Sequence, residues 1–300
     1  MTFRPARILV LRGGALGDFI VTLPALQALR ARWPDGRLEV IGYPSVARLA
    51  LTGGVVDQVH SLDQAGMARF FAARPAFSEE QADFIRSFDV VLCYLHDPHG
   101  LLEENLRLAG ARVLLMASPL VREGHAVDQF LRPLESLAIY GADPVPRLPV
   151  AATPDPSSLV IHPGSGSPGK NWPMDRFLAA AEQARGTGWR PRFVLGEVER
   201  GGADAIRAAG FPVTVEAPLD EVARLLAGAS AYLGNDSGIS HLAAACGARC
   251  VVLFGPTDPS LWAPRGEVRV VRALNGDLRT LSVDSVWSAL SQLDANPASG

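Results

Sequence analysis

One basic side chain stands apart in this chain. Of its 28 basic residues, 27 are arginines and only Lys170 is a lysine. Lys170 stands in the stretch H-P-G-S-G-S-P-G-K-N-W-P (His162 to Pro173), which follows a short apolar run. A lysine ammonium is a compact point charge, suited to a phosphate oxygen where an arginine would offer a flat fork. Gly164, Ser165, Gly166 and Ser167 let backbone N–H groups approach an anion closely, and the hydroxyls can donate as well. Small residues of this kind equally make a flexible surface loop, and the residues alone leave both readings open. The loop is not a Walker loop, because G-x-x-x-x-G-K-[ST] is absent.

Two further junctions have the same grammar. I-L-V-L-R-G-G-A-L-G-D (Ile8 to Asp18) runs from an apolar strand through Gly13, Gly14 and Gly17 into a helix start. Asp18 falls in the first turn, where a carboxylate can cap and stabilise the helix or face a ligand as a catalytic group. The spacing is G-G-x-x-G rather than G-x-G-x-x-G, and the second strand closes on I-G-Y-P with no acidic residue for a ribose. A nicotinamide dehydrogenase is therefore a poor fit. Y-L-G-N-D-S-G-I-S-H-L-A-A-A-C-G (Tyr232 to Gly247) is the third junction. Asp236 or Ser237 would cap the helix that begins at Gly238, and its N-terminus suits a diphosphate. His241, one turn further on, is either a core histidine or a group facing the same place. No D-x-D, clustered-histidine or G-x-S-x-G signature is present, which counts against a metal site and an α/β-hydrolase.

Apolar runs alternating with helical stretches must position these junctions. Strands are expected at Ile8–Leu11, Leu38–Ile41, Val55–Val59, Val90–Tyr94 and Val113–Met116. Between them come a helix over Ala15–Trp33, bent or joined at Pro24, and helices near 44–52, 66–73, 78–87, 100–109 and 125–140. P-V-P-R-L-P-V-A-A-T-P-D-P (Pro144 to Pro156) holds five prolines and reads as a linker. The alternation then resumes with strands at Leu159–His162, Arg192–Leu195, 213–215, Ala231–Gly234, Cys250–Phe254 and 268–271. Helices are expected at 174–185, 199–209, 219–228, 238–246 and 283–293. The pattern predicts two doubly wound, parallel α/β domains, 1–148 and 149–300, with ligands at the carboxyl ends of the strands.

Composition narrows the function. The chain has 300 residues, 48% hydrophobic and 20% charged, with net charge -3, and neither half is basic. Bulk nucleic-acid binding is thus not expected. Cys93 and Cys250 fall in apolar runs and no C-x-x-C occurs, so they read as buried thiols of a cytoplasmic protein. Neither a signal peptide nor a membrane span is expected.

The three junctions, with F-G-P-T-D-P (Phe254 to Pro259), resemble glycosyltransferase family 9, the ADP-heptose:lipopolysaccharide heptosyltransferases and their relatives. The resemblance spans residues 8 to about 265. It implies a GT-B fold, two Rossmann-like domains facing across a cleft, with the donor mainly on the second domain and the acceptor on the first. It leaves room for helix 283–293 to pack back toward the first domain. It implies an inverting transfer without metal or cofactor, most simply of heptose from ADP-heptose to a glycan or glycolipid such as lipopolysaccharide core. By position, Asp18 matches the general base and Lys170 the partner of the leaving diphosphate. Asp236, Ser237, Gly238 and His241 match the D-[ST]-G-x-x-H donor motif. Ser165 and Gly166 would line the phosphate site, and Gly14 and Gly17 would shape the loop before Asp18. Glu199 is a candidate for the ribose, or else a solvated helix start. The implied partners are a nucleotide sugar, a glycan or glycolipid acceptor and the inner face of the inner membrane as a peripheral contact. Another nucleotide sugar or acceptor, or a non-catalytic nucleotide-sugar-binding protein, are the alternatives. The chain departs from the family where many members have a serine or threonine before the small-Gly-Asp step. Its acceptor side also has no lysine, so an anionic acceptor would meet arginines such as Arg12 or Arg122.

Overall fold

The computed structural model describes residues 4–63 and 66–294. The chain separates into two compact units, Met1–Pro144 and Val145–Gly300. The division falls at the first proline of the proline-rich stretch. Leu148 already belongs to the second unit, where its N–H donates to Ala245 O at 2.8 Å.

The first unit runs β1 (Arg7–Leu11), α1 (Leu16–Ile20), α2 (Leu23–Arg32), β2 (Arg37–Gly42), α3 (Pro44–Thr52), β3 (Gln58–Ser61), α4 (Glu79–Arg86), β4 (Val90–Cys93), α5 (Leu101–Leu108), β5 (Leu114–Met116) and α6 (Ala126–Leu131). The second runs β6 (Asp155–His162), α7 (Met174–Gly186), β7 (Arg190–Leu195), α8 (Ala203–Ala208), β8 (Val213–Val215), α9 (Leu219–Ala227), β9 (Ala229–Asn235), α10 (Gly238–Ala245), β10 (Arg249–Phe254), α11 (Pro259–Trp262), β11 (Val268–Arg272) and α12 (Val283–Asp294). The sheet orders are β3-β2-β1-β4-β5 and β11-β10-β9-β6-β7-β8. Every strand pairing is parallel.

Helices cover both faces of such sheets, so the central strands are apolar throughout rather than alternating. All of Val90–Cys93 is buried. One core of the first unit joins Leu9, Leu11, Val91 and Cys93 to Phe70, Ile85 and Phe88. In the second unit Ile161, Leu195, Leu233 and Leu253 pack with Trp172, Phe177, Val286 and Leu290. Helix α12 lies against α7, β10 and β11. Cys93 and Cys250 are buried as expected. Burial pushes the Cys93 thiol up to about 12, out of reach of thiolate chemistry at neutral pH.

The departures from the expected elements have local causes. The helix expected over Ala15–Trp33 is two, joined at Val21–Thr22, with Pro24 in the first turn of α2 where its missing N–H costs nothing. Val55 and Val56 do not begin a strand. Their N–H groups bond Ala50 O at 2.8 and 3.2 Å and close the end of α3, so β3 starts at Gln58. The helix expected over 125–140 is α-helical only to Leu131 and continues as 3-10 turns to Leu137, because Pro133 cannot supply an α-helical donor. The stretch 66–73 holds only a 3-10 segment, Met67–Phe71. The linker ends early, at Asp155, where β6 begins. Pro156 is tolerated there because the β6–β9 register shifts between Asp155 and Leu159. Helix α11, one turn capped by Asp258, had no clear sequence period.

Candidate active site

In an open parallel sheet, ligands bind at the carboxyl ends of the strands, where the strand order reverses direction. In the first unit that point lies between β1 and β4, and in the second between β6 and β9. The segment Arg12–Asp18 leaves β1, the Lys170 loop leaves β6, and Asn235–Ser237 ends β9 and opens α10. The chemically distinctive junctions therefore occupy the topological switch point of their own sheets.

At the end of β1, Gly14 has φ +94, a backbone conformation that disfavours side chains. A Cβ on Gly14 would lie 2.8 Å from both Asp18 Cβ and Asp18 Oδ2, so only glycine fits against the carboxylate. Asp18 Oδ2 accepts from Ala15 N–H at 2.9 Å and so caps α1, whose own N-cap residue Ala15 has no polar side chain. Gly17 is the second residue of α1, and its carbonyl accepts from Val21 N–H at 3.0 Å. Asp18 keeps 34% of its side chain exposed despite the capping bond. The capping role and an accessible carboxylate thus coexist.

Arg12 holds this turn from below. Its guanidinium is buried, donates to Asp18 O from Nε at 3.2 Å and from Nη2 at 2.8 Å, and approaches Asp18 Oδ1 at 3.5 Å. Thr22 Oγ1 adds a third bond to the same carbonyl at 2.8 Å. The face of the guanidinium stacks on Phe130, 4.6 Å from the ring centroid. A buried charge requires such partners. Burial pushes the Arg12 guanidinium below its ordinary value, and the Asp18 charge opposes that shift. Sequence reasoning treated Arg12 only as a contact for an anionic acceptor. A basic residue at the end of an otherwise apolar strand was the signal for a buried, structural role.

In the second unit the Lys170 loop is braced. Ser165 Oγ accepts from Ser167 N–H at 3.2 Å and lies 2.7 Å from Ser167 O and 2.6 Å from Asn171 Oδ1. The Ser165 hydroxyl is thus engaged within its own loop. Gly166 is open, and a Cβ there would meet nothing within 4 Å. Lys170 Nζ donates to Asp236 Oδ2 at 2.8 Å. The pair joins residues that are 66 positions apart in the chain. Ser237, not Asp236, caps α10: Ser237 Oγ accepts from Ser240 N–H at 3.3 Å. Gly238 is the first residue of α10, and His241, one turn in, is buried. Lys170, Asp236 and Ser237 therefore come together at the α10 N-terminus, where the helix dipole adds positive potential.

Glu199 closes the other side of the loop. Its Oε2 accepts from Gly196 N–H at 3.1 Å, and a Cβ on Gly164 would fall 2.2 Å from the Glu199 carboxyl carbon. Glu199 is half-buried, so it is more than a solvated helix start. Beside it, His162 is buried with Nδ1 2.9 Å from Val194 O, and burial lowers its basicity below the ordinary 6.5. A neutral ring must then carry its proton on Nδ1 to donate to that carbonyl. His162 and Asn235 (below) escaped sequence reasoning. Among the described residues, no group of three or more His, Cys, Asp or Glu side chains could hold a metal ion, and no helix is long and apolar enough to cross a membrane.

Known proteins resemble the chain in sequence and in fold. A family model described as glycosyltransferase family 9 (heptosyltransferase) matches residues 143–280. Lipopolysaccharide heptosyltransferase 1 of Pseudomonas aeruginosa is 29% identical over 309 residues, covering 88% of this chain and 82% of that protein. Over residues 143–280 the chain is thus similar to glycosyltransferase family 9. Among solved structures, a family 9 glycosyl transferase from Veillonella parvula matches with TM-score 0.78 at 18% identity, covering 99% of each chain. An Escherichia coli heptosyltransferase solved with ADP-2-deoxy-2-fluoro heptose matches with TM-score 0.72 at 20% identity, covering 95% of this chain and 99% of that one. With these neighbours, the two parallel doubly wound sheets give the chain a GT-B fold.

Proposed function

We propose that this protein is a family 9 glycosyltransferase that moves heptose from ADP-heptose to a lipopolysaccharide-type glycan or glycolipid acceptor, with inversion and without a metal. The observation that carries the reading is Lys170 Nζ, held 2.8 Å from Asp236 beside the α10 N-terminus. A departing nucleoside diphosphate needs positive charge where its own negative charge develops. Lys170 supplies an ammonium, and α10 supplies its N-terminal backbone N–H groups and the positive end of its dipole. Two relatives support the choice of sugar: the P. aeruginosa protein is a lipopolysaccharide heptosyltransferase, and the E. coli structure was solved with an ADP-heptose analogue.

The reaction is a single displacement. An acceptor hydroxyl oxygen attacks the anomeric carbon while the bond from that carbon to the diphosphate oxygen breaks. The electron pair leaves with ADP, the hydroxyl proton passes to the Asp18 carboxylate, and attack opposite the leaving group inverts the centre. Gly14 and Gly17 shape the turn that presents Asp18. Asp236, Ser237, Gly238 and His241 form the donor side, Ser165 and Gly166 border the phosphates, and Glu199 takes the ribose hydroxyls. A glycolipid acceptor would bring the enzyme to the cytoplasmic face of the inner membrane as a peripheral protein.

A thermal-shift panel of nucleoside diphosphates and nucleotide sugars tests the donor. Selective stabilisation by ADP and ADP-heptose is expected, whereas a response confined to UDP or dTDP sugars overturns the donor assignment. Binding without any release of ADP across lipopolysaccharide-core acceptors would instead support a non-catalytic binding protein.

A further inference from the structure

The loop that carries Lys170 leaves β6 at Pro163 and reaches α7 through Trp172, and a single side chain ties both of its ends. Asn235, the last residue of β9, is fully buried. Its Nδ2 donates to Pro163 O at 2.7 Å, and its Oδ1 accepts from Trp172 N–H at 3.1 Å. The indole of Trp172 anchors the far end again, donating from Nε1 to Leu281 O at 3.1 Å. The residue after Asn235 is Asp236, which receives Lys170.

A buried amide is costly unless its donor and acceptor both find partners. Asn235 finds them at the two mouths of one loop, in opposite polarity, so neither an apolar residue nor a carboxylate could replace it there. The β6–β9 pairing fixes where Pro163 and Asn235 lie, and the Asn235 side chain then fixes where the loop must return. Lys170 is two residues before that return point. We propose that Asn235 is a positioning residue for Lys170: its amide locks the ends of the 163–172 loop onto β9 and so delivers the ammonium to Asp236 beside the α10 N-terminus. The kinetic arm of the test rests on the diphosphate role of Lys170 given above; the spectroscopic arm does not.

The single lysine makes the spectroscopic arm direct. Protein labelled with 15N at lysine Nζ gives one side-chain ammonium resonance. An ion-paired ammonium exchanges slowly enough to be seen, and Asn235→Ser and Asn235→Ala are expected to broaden or remove the signal in protein that still melts cooperatively. An unchanged Lys170 resonance in either folded variant overturns the proposal. The kinetic arm is a double-mutant cycle on donor turnover with Lys170→Ala. Asn235→Ser should lower kcat about a hundredfold, the scale of a misplacement of about 1 Å. In the Lys170→Ala background the same change should cost less than about twofold, since its effect runs through the absent lysine. Equal losses in both backgrounds would mean that Asn235 acts only on the fold. If wild type releases no ADP, the functional reading fails and the resonance alone decides the role of Asn235. If neither variant folds, hydrogen exchange in wild type decides: a protected Trp172 N–H is expected, and exchange at the rate of an open loop overturns the clamp.

Discussion

Gly14→Ala separates backbone strain from carboxylate placement within one turn. At φ +94 an alanine is forced into the left-handed region, which costs an L-residue roughly 1–2 kcal/mol. The new methyl also falls 2.8 Å from Asp18 Cβ and Oδ2. Asp18 Cβ is fixed to α1, so rotating the carboxylate does not relieve that contact and the first turn must shift. The bond from Ala15 N–H to Asp18 Oδ2 is then lost, for about another 1 kcal/mol given that the carboxylate is partly solvated. The expected destabilisation is therefore about 2–3 kcal/mol by urea melts. In an Asp18→Ala background the Cβ contact remains but the bond is already gone, so the loss should shrink to the strain of about 1–2 kcal/mol. Turnover by Gly14→Ala should fall about a hundredfold, because Asp18 moves with its turn. A Gly14→Ala protein within roughly 0.5 kcal/mol of wild type, the range of neutral surface changes, would refute the reasoning. So would an equal loss in both backgrounds.

Lys170→Arg keeps the charge but replaces a point cation with a planar fork, and kcat is expected to fall by at least about tenfold with the melting temperature unchanged; full activity would return the lone lysine to coincidence. Gly164→Ala drives a methyl into the Glu199 carboxyl and should weaken ADP affinity together with stability, measured by titration calorimetry and urea melts; unchanged affinity would separate Glu199 from the donor. His162 is less basic folded than unfolded, so unfolding takes up a proton below the ordinary 6.5. Its stabilisation is complete above about pH 6.5 and is lost as pH falls toward the folded-state value, at no more than about 1.4 kcal/mol per pH unit. His162→Asn, whose amide can still donate to Val194 O, should flatten the difference between urea midpoints at about pH 7.5 and pH 5.5; an identical slope in the variant would assign the effect elsewhere.

Much of this was legible in the residues, and the rest was hidden for definite reasons. The strands showed because both faces of a parallel sheet demand apolar runs, and Pro24 showed because a proline ends one helix or starts another. Val55 and Val56 misled because an apolar pair that closes a helix end looks the same, in one dimension, as one that opens a strand. The three junctions could each be recognised locally. What could not be read was that Lys170 faces Asp236, since the contact depends on β6 and β9 being neighbours at the switch point. The same non-locality concealed Asn235, whose two partners lie 63 and 72 residues away. Arg12 was misjudged because an arginine reads as a surface charge until the aromatic ring that covers it, Phe130, is in place.

The central claim is that Asp18 takes the acceptor proton while the diphosphate leaves toward Lys170. The measurement that tests it most directly is ADP release and product configuration from ADP-heptose and a lipopolysaccharide-core acceptor, with wild type and Asp18→Asn side by side in the presence of a chelator. Wild type should form the inverted glycoside with the chelator present, and Asp18→Asn should bind donor normally but turn over about 10²- to 10⁴-fold more slowly. An Asp18→Asn enzyme as fast as wild type, or a product of retained configuration, would contradict it.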